Sequence, residues 1–148
     1  MSASKISTKP IGLISDTHGL LRPEAIAALD GSAQIIHAGD IGGPEILDRL
    51  SAIAPVTAVR GNVDTMELPE TALIEAPPFR ILVIHDVKQL TGAGFDIVIS
   101  GHSHKPGESI RGSVRYINPG SAGPRRFKLP ITVARLHLAP LRVEFVNL

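Results

Sequence analysis

The chain has 148 residues, 15 Lys+Arg against 14 Asp+Glu, 43% hydrophobic residues and no cysteine. This length suits one domain over residues 1–148 with a sizeable core, and the balanced charge offers no electrostatic footprint for nucleic acid or a membrane surface. Without cysteine there is no disulfide framework, thiolate metal site or thiol nucleophile, and four Phe, one Tyr and no Trp provide no base-stacking platform.

In chain order, the polar opening Met1–Pro10 lacks the apolar stretch of a signal peptide. No later run approaches the ~18 apolar residues of a membrane span, so a cytoplasmic protein is expected. Ile11–Ile14 reads as a short buried strand. Arg22–Leu29 reads as a helix: Pro23 suits a first turn, Glu24 complements the helix dipole and Gly31 ends it. Gln34–His37 is a second strand. Pro44–Ile53 is a second helix with Ile46, Leu47, Leu50 and Ile53 on one face, and Val56–Val59 is a third strand. This β-α-β-α-β order predicts a parallel sheet. Strands come next at Ala72–Ala76 and Arg80–Ile84 around Pro77-Pro78, then at Asp96–Ile99. Gly107–Arg111 and Val114–Ile117 flank Gly112-Ser113, and Ile131–Leu138 and Leu141–Val146 form a final pair. A helix-containing half and a β-rich half predict an α/β fold of two sheets packed face to face, with helices outside.

The informative pattern lies just past the strand ends. The first strand is followed by Asp16-Thr17-His18-Gly19, the second by Ala38-Gly39-Asp40, the third by Gly61-Asn62-Val63-Asp64. The fifth ends in His85-Asp86, and the strand at Asp96–Ile99 leads to Gly101-His102-Ser103-His104. Ligands of open α/β sheets bind outside the carboxyl ends of the strands. Asp16, His18, Asp40, Asn62, His85, His102 and His104 should therefore converge on one rim. Four imidazoles, two carboxylates and an amide suit Mn, Fe, Zn, Ni or Co. Seven donors are too many for one such ion, whereas two ions about 3.5–4 Å apart, sharing a carboxylate, would use them all. A centre of that kind acidifies a water to hydroxide and stabilises phosphoryl oxygens during in-line attack.

These five blocks resemble those of the calcineurin-like metallophosphoesterase superfamily, and more narrowly the small bacterial and archaeal phosphodiesterases of the YfcE type. Asn118-Pro-Gly-Ser121, followed by Pro124-Arg125, is similar to a stretch near the end of those proteins. The resemblance runs from about Ile11 to the C-terminus. It implies a four-layer α/β/β/α sandwich of two mixed sheets flanked by helices. It also implies a first metal on Asp16, His18 and His104, a second on Asn62, His85 and His102, and a bridge through Asp40. Asp40, Asn62 and His102 are the residues it marks for catalysis. Two divalent ions are expected, Mn first, with Fe, Ni, Co or Zn suited to the same donors.

Two positions depart from the wider family. Many superfamily phosphatases place a His where this chain has Val63, and Val cannot pass a proton to a leaving group. The small phosphodiesterases lack that His as well. Asp86 stands where many relatives have Gly, and reads as a cap or as a residue behind the ligands. Arg60 and Arg125 are candidate substrate ligands because a guanidinium holds phosphate bidentately, against the plainer reading of structural ion pairs. His37 reads as a core histidine, His137 as exposed, and Asn118–Ser121 as a tight turn. The favoured function is hydrolysis of a small phosphodiester substrate, with no membrane or nucleic-acid partner and self-association left open. A phosphomonoesterase, or a non-catalytic protein-binding scaffold resembling the retromer scaffold subunit, is the alternative.

Overall fold

The computed structural model describes residues 9–126 and 128–148. The polar N-terminal segment, expected to carry no signal peptide, lies outside the described residues up to Thr8. Ten strands and two α-helices occur in the order β1 (Ile11–Ile14), α1 (Pro23–Leu29), β2 (Gln34–His37), α2 (Pro44–Ser51), β3 (Val56–Ala58), β4 (Thr71–Ala76), β5 (Phe79–Ile84), β6 (Ile97–Ile99), β7 (Gly107–Arg111), β8 (Val114–Asn118), β9 (Thr132–Leu138) and β10 (Leu141–Asn147). Each element expected from the sequence is present. Its ends move by no more than two residues: α2 stops at Ser51, and Asp96 precedes β6 rather than joining it.

Both helices start on a proline, whose missing N–H is one that the first turn leaves unpaired in any case. α1 buries Ala25, Ala28 and Leu29, and α2 buries Ile46 and Leu50. The strands build two mixed sheets, β10-β9-β1-β2-β3 and β4-β5-β6-β8-β7. β1, β2 and β3 are parallel, as are β5, β6 and β8. Sheet membership does not respect the two halves of the sequence. The final β9–β10 hairpin returns to the first sheet, where β9 runs antiparallel to β1 with Ile11 opposite Leu136.

Alternation along the strands divides the core. Ile11, Leu13, Ile36, Ile81, Val83, Ile97, Ile99, Ile117 and Leu136 meet between the sheets. Ile14, Ile35 and Val133 face the other way, against Ala25, Leu29, Ile46 and Leu50 of the helices. Each fully buried Leu or Ile contributes about 1.5–3 kcal/mol relative to exposure. The outer face of the second sheet has no α-helix among the described residues. Leu82, Ile84 and Val98 are covered there by Val87, Leu90 and Phe95, in and after a single 3₁₀ turn at Val87–Gln89. The fold is thus the expected sandwich with a thin fourth layer. His137 is half-buried rather than simply exposed: with Arg135 it faces Glu144 on β10, at 3.4 and 3.6 Å.

Candidate metal centre

The loops after β1, β2, β3, β5 and β6 meet where the carboxyl ends of the two sheets come together. Pairing between β1 and β2 continues past the strands. Asp16 N–H donates to Gly39 O at 3.0 Å, His18 N–H to Asp40 O at 2.9 Å and Gly19 N–H to Ile41 O at 2.8 Å. Gly101 N–H donates to His85 O at 3.0 Å and joins the two loops of the second sheet. Five of the seven candidate ligands hold left-handed backbone: Asp16 (φ 56°), His18 (47°), Asp40 (56°), His102 (71°) and His104 (64°). For non-glycine residues such conformations cost about 1–3 kcal/mol each and persist where the surroundings over-determine them. At this rim they turn successive side chains off the strand direction and into one centre.

His18 and His104 form one pair of rings, with centroids 5.5 Å apart, and His85 and His102 a second, 5.2 Å apart. Asp40 stands between the pairs. Its Oδ2 is 3.6 Å from His18 Nε2 and 3.3 Å from His85 Nε2, while its Oδ1 accepts the Val63 N–H at 3.0 Å. Asp16 Oδ1 lies 3.9 Å from His18 Nε2 and 3.5 Å from His104 Nε2. Two compact donor groups result, Asp16–His18–His104 and Asp16–Asp40–His85, each with ligand atoms within 4.8 Å of one another. Asn62 and His102 are more exposed, and Asn62 lines a cavity that also borders His85.

The surroundings aim these donors. His85 Nδ1–H donates to Ala38 O at 2.8 Å, which leaves the lone pair of Nε2 facing the centre. Asp16 Oδ2 accepts from Ser15 Oγ at 2.7 Å and from the His102 N–H at 3.2 Å, so Oδ1 is the free oxygen. Asp16 Oδ1, His18 Nε2 and His85 Nε2 are buried without a hydrogen-bond partner. Buried polar atoms are normally paired, and orphaned donor atoms in both groups fit the binding of cations. Burial pushes the Asp16 carboxyl up despite its Ser15 bond. At Asp40 burial acts upward too, but His85, the Val63 N–H and the charge of His18 outweigh it and hold the carboxyl well below its usual range. Burial pushes His85 down, yet Asp40 and the Ala38 carbonyl reverse this and its pKa is raised.

Further residues stand behind the candidate ligands, and of these Asp64 had been given no holding role by the sequence. Asp64 accepts three backbone N–H groups, from Ile41 at 2.8 Å, Gly42 at 3.1 Å and Gly61 at 2.9 Å, and so ties the loop after β2 to the loop after β3. Asn118–Ser121 is a turn, with Gly120 N–H on Asn118 Oδ1, but it also buttresses the rim. Asn118 Nδ2 donates to Gly101 O at 3.0 Å and Ser121 Oγ to Asp16 O at 3.1 Å. Asp86 caps the 3₁₀ turn by accepting Lys88 N–H. His37 is fully buried: Gly39 N–H donates to its Nδ1, and its Nε2–H donates to Thr17 Oγ1, which donates on to Ile41 O. Arg60 is in an ion pair with Glu70 at 2.6 Å. Among the described residues Arg125 has no ion pair. It is the neighbouring Arg126 whose charge, after burial, helps push His104 down.

Three comparisons relate this chain to known proteins. A sequence model of the calcineurin-like phosphoesterase superfamily domain matches residues 10–140. A probable metallophosphoesterase of Methanothermobacter thermautotrophicus is 36% identical over 93% of this chain and 91% of its own. Among solved structures, an archaeal phosphodiesterase superposes with a TM-score of 0.81 at 21% identity, covering 94% of this chain and 99% of that one. Vps29 of Entamoeba histolytica complexed with Zn²⁺ superposes with a TM-score of 0.70 at 23% identity, covering 93% and 98%. At these identities the two structures speak for the fold alone.

Proposed function

The chain belongs to the calcineurin-like phosphoesterase superfamily, a family of metal-dependent phosphoester hydrolases, and on that premise we propose that it is a phosphodiesterase with a dinuclear centre. Asp16, His18 and His104 hold one ion, Asn62, His85 and His102 the other, and Asp40 both. The observation that carries this reading is the position of Asp40 Oδ2 between the nearer nitrogens of the two imidazole pairs. When bound, two divalent ions, Mn first among the candidates, supply Lewis-acid charge that acidifies a water and neutralises phosphoryl oxygens.

The protein's own part is orientation. The Ala38 carbonyl keeps the proton of His85 on Nδ1, and Ser15 and the His102 N–H hold Asp16 so that one oxygen faces inward. Asp64 and Ser121 fix the loops that carry Asp40 and Asp16. Arg60 and Arg125 are proposed to contact the phosphoryl group; Arg60 must share its charge with Glu70 to do so. Val63 is half exposed at the rim and offers no proton, which favours diesters with leaving groups that depart unaided.

The test is metal-free protein reconstituted separately with Mn, Fe, Co, Ni and Zn. Two ions per chain are expected at saturation, with bis(4-nitrophenyl) phosphate turned over faster than 4-nitrophenyl phosphate. A stoichiometry that stops at one overturns the dinuclear centre. A Vps29 of this fold has been obtained with Zn²⁺, so metal binding alone does not separate hydrolase from scaffold. Absence of turnover with every ion would favour the scaffold.

A further inference from the structure

A cavity of about 500 Å³ opens against Asn62 and His85 and extends away from the other donors, toward the start of β4 and the 3₁₀ turn. Pockets of this size hold small organic ligands, so there is room beside the centre for more than a phosphoryl group. Among the described residues no aromatic side chain other than the His85 imidazole lines it, and Ile84 is its one large apolar wall residue. The remaining wall is polar: Arg60 and Glu70 form an ion pair, and Asp64, Thr71, Asp86 and Gln89 also line it. Hydroxyl and amide acceptors therefore outnumber surfaces on which a ring could stack. Carboxylates outnumber the single guanidinium too, and Arg60 is already offset by Glu70 at 2.6 Å. An ester arm bearing a further phosphate would meet like charge there without a free cation, whereas an arm bearing hydroxyls would find acceptors in Glu70, Asp86 and Gln89.

We propose that this cavity seats one ester arm of the phosphodiester and selects a neutral, polyhydroxylated arm, of the glycerol or sugar kind, over an alkyl, aromatic or phosphorylated one. The inference rests on the phosphodiesterase reading above and names the substrate class for that site. Gln89 and Glu70 are the specificity-determining residues. Both are exposed and outside the donor set, and Gln89 reaches the cavity from the 3₁₀ turn that Asp86 caps.

The experiment is calorimetric binding to Mn-loaded protein of three anions: bis(2,3-dihydroxypropyl) phosphate, diethyl phosphate, and the first compound phosphorylated on the terminal hydroxyl of each arm. The first two carry the same charge and have identical arms, so orientation in the site does not matter. The dihydroxypropyl compound should bind roughly tenfold tighter than diethyl phosphate, the gain from one or two net hydrogen bonds. The phosphorylated compound should lose that gain. In Gln89→Ala and in Glu70→Ala the tenfold ratio should fall toward one, with circular dichroism unchanged. Equal affinity of the first two compounds for the wild type overturns the proposal, as does a ratio that survives both substitutions. Turnover of bis(4-nitrophenyl) phosphate, measured on the same samples, reports separately on the phosphodiesterase reading, because that ester has no hydroxylated arm.

Discussion

Asp16 and His102 are joined across 86 positions of the chain: the His102 backbone N–H donates to Asp16 Oδ2 at 3.2 Å, and so ties the loop after β1 in one sheet to the loop after β6 in the other. Ser15 Oγ completes the clamp on the same oxygen. Gly101 lets the two loops approach, because a Cβ at that position would overlap Ser15 Oγ and come within 2.7 Å of Asp16 Oδ2. Gly101→Ala should leave the two sheets folded and weaken metal affinity by about 10–100-fold, the usual effect of disturbing groups that orient ligands. Metal titration beside circular dichroism checks this, and affinity within twofold of wild type would contradict it.

Asp40→Asn should lower turnover by more than that, beyond about 100-fold, since the substitution acts on the proposed shared ligand itself. An amide keeps an acceptor for the Val63 N–H but cannot offset the charge of two cations. The expected result is an unchanged circular dichroism spectrum for the metal-free protein, with activity lost and metal bound weakly.

Asp64→Ala strips three backbone N–H groups of their acceptor and frees the loops that carry Asp40 and Gly61. Stability should fall by about 1–3 kcal/mol by the measure of unpaired polar groups, with metal affinity reduced as well. The pH profile of the residual activity should keep its shape. A shifted profile would mean that Asp64 takes part in proton transfer rather than holding the loops.

Burial pushes the His37 imidazole down to about 3, from an ordinary 6.5. Between those values the unfolded chain binds a proton that the folded chain refuses, so stability rises with pH. As pH falls below 6.5, up to about 1.4 kcal/mol should be lost per unit from this group. His85 has a raised pKa and acts above 6.5, outside the window. Denaturant melts of metal-free wild type and His37→Gln at pH 7, 6, 5 and 4.5 should give a difference that shrinks steadily with acidity. A constant difference would show that His37 is protonated in the folded state.

On the phosphodiesterase reading, Val63 should set the leaving-group dependence. Diesters of graded leaving-group pKa should show a steep decline in rate from nitrophenolate to simple alkoxides, because no side chain at that position donates a proton. Val63→His should raise the rate of the poor leaving groups more than that of the good ones. A flat series in the wild type would point to a proton donor elsewhere. His37 is not such a donor, being fully buried with both ring nitrogens engaged.

Much of this protein is legible in one dimension, because period-2 and period-3.6 apolar patterns and Pro or Gly at element ends are local properties. They locate the ten strands and two helices. The repeated occurrence of Asp, Asn or His just after an apolar run already points to one rim. Pairings between distant segments are not local. That β9 and β10 return to the first sheet depends on which edge is open beside β1, and no pattern within Thr132–Asn147 records it. The same holds for His37. Its isolation from the rim comes from Gly39 and Thr17 taking both ring nitrogens; the Gly39 contact is local, but the Thr17 contact forms only when β1 and β2 pair. Arg60 and Arg125 stand alike as candidates in the sequence, but folding puts Glu70 against the first and brings Arg126, rather than Arg125, to bear on His104. Sequence by itself determined which residues could act as donors. Tertiary structure decided their aim, since five left-handed backbone turns and the acceptors behind them, Asp64 among them, need the surrounding loops to hold them against their local preference.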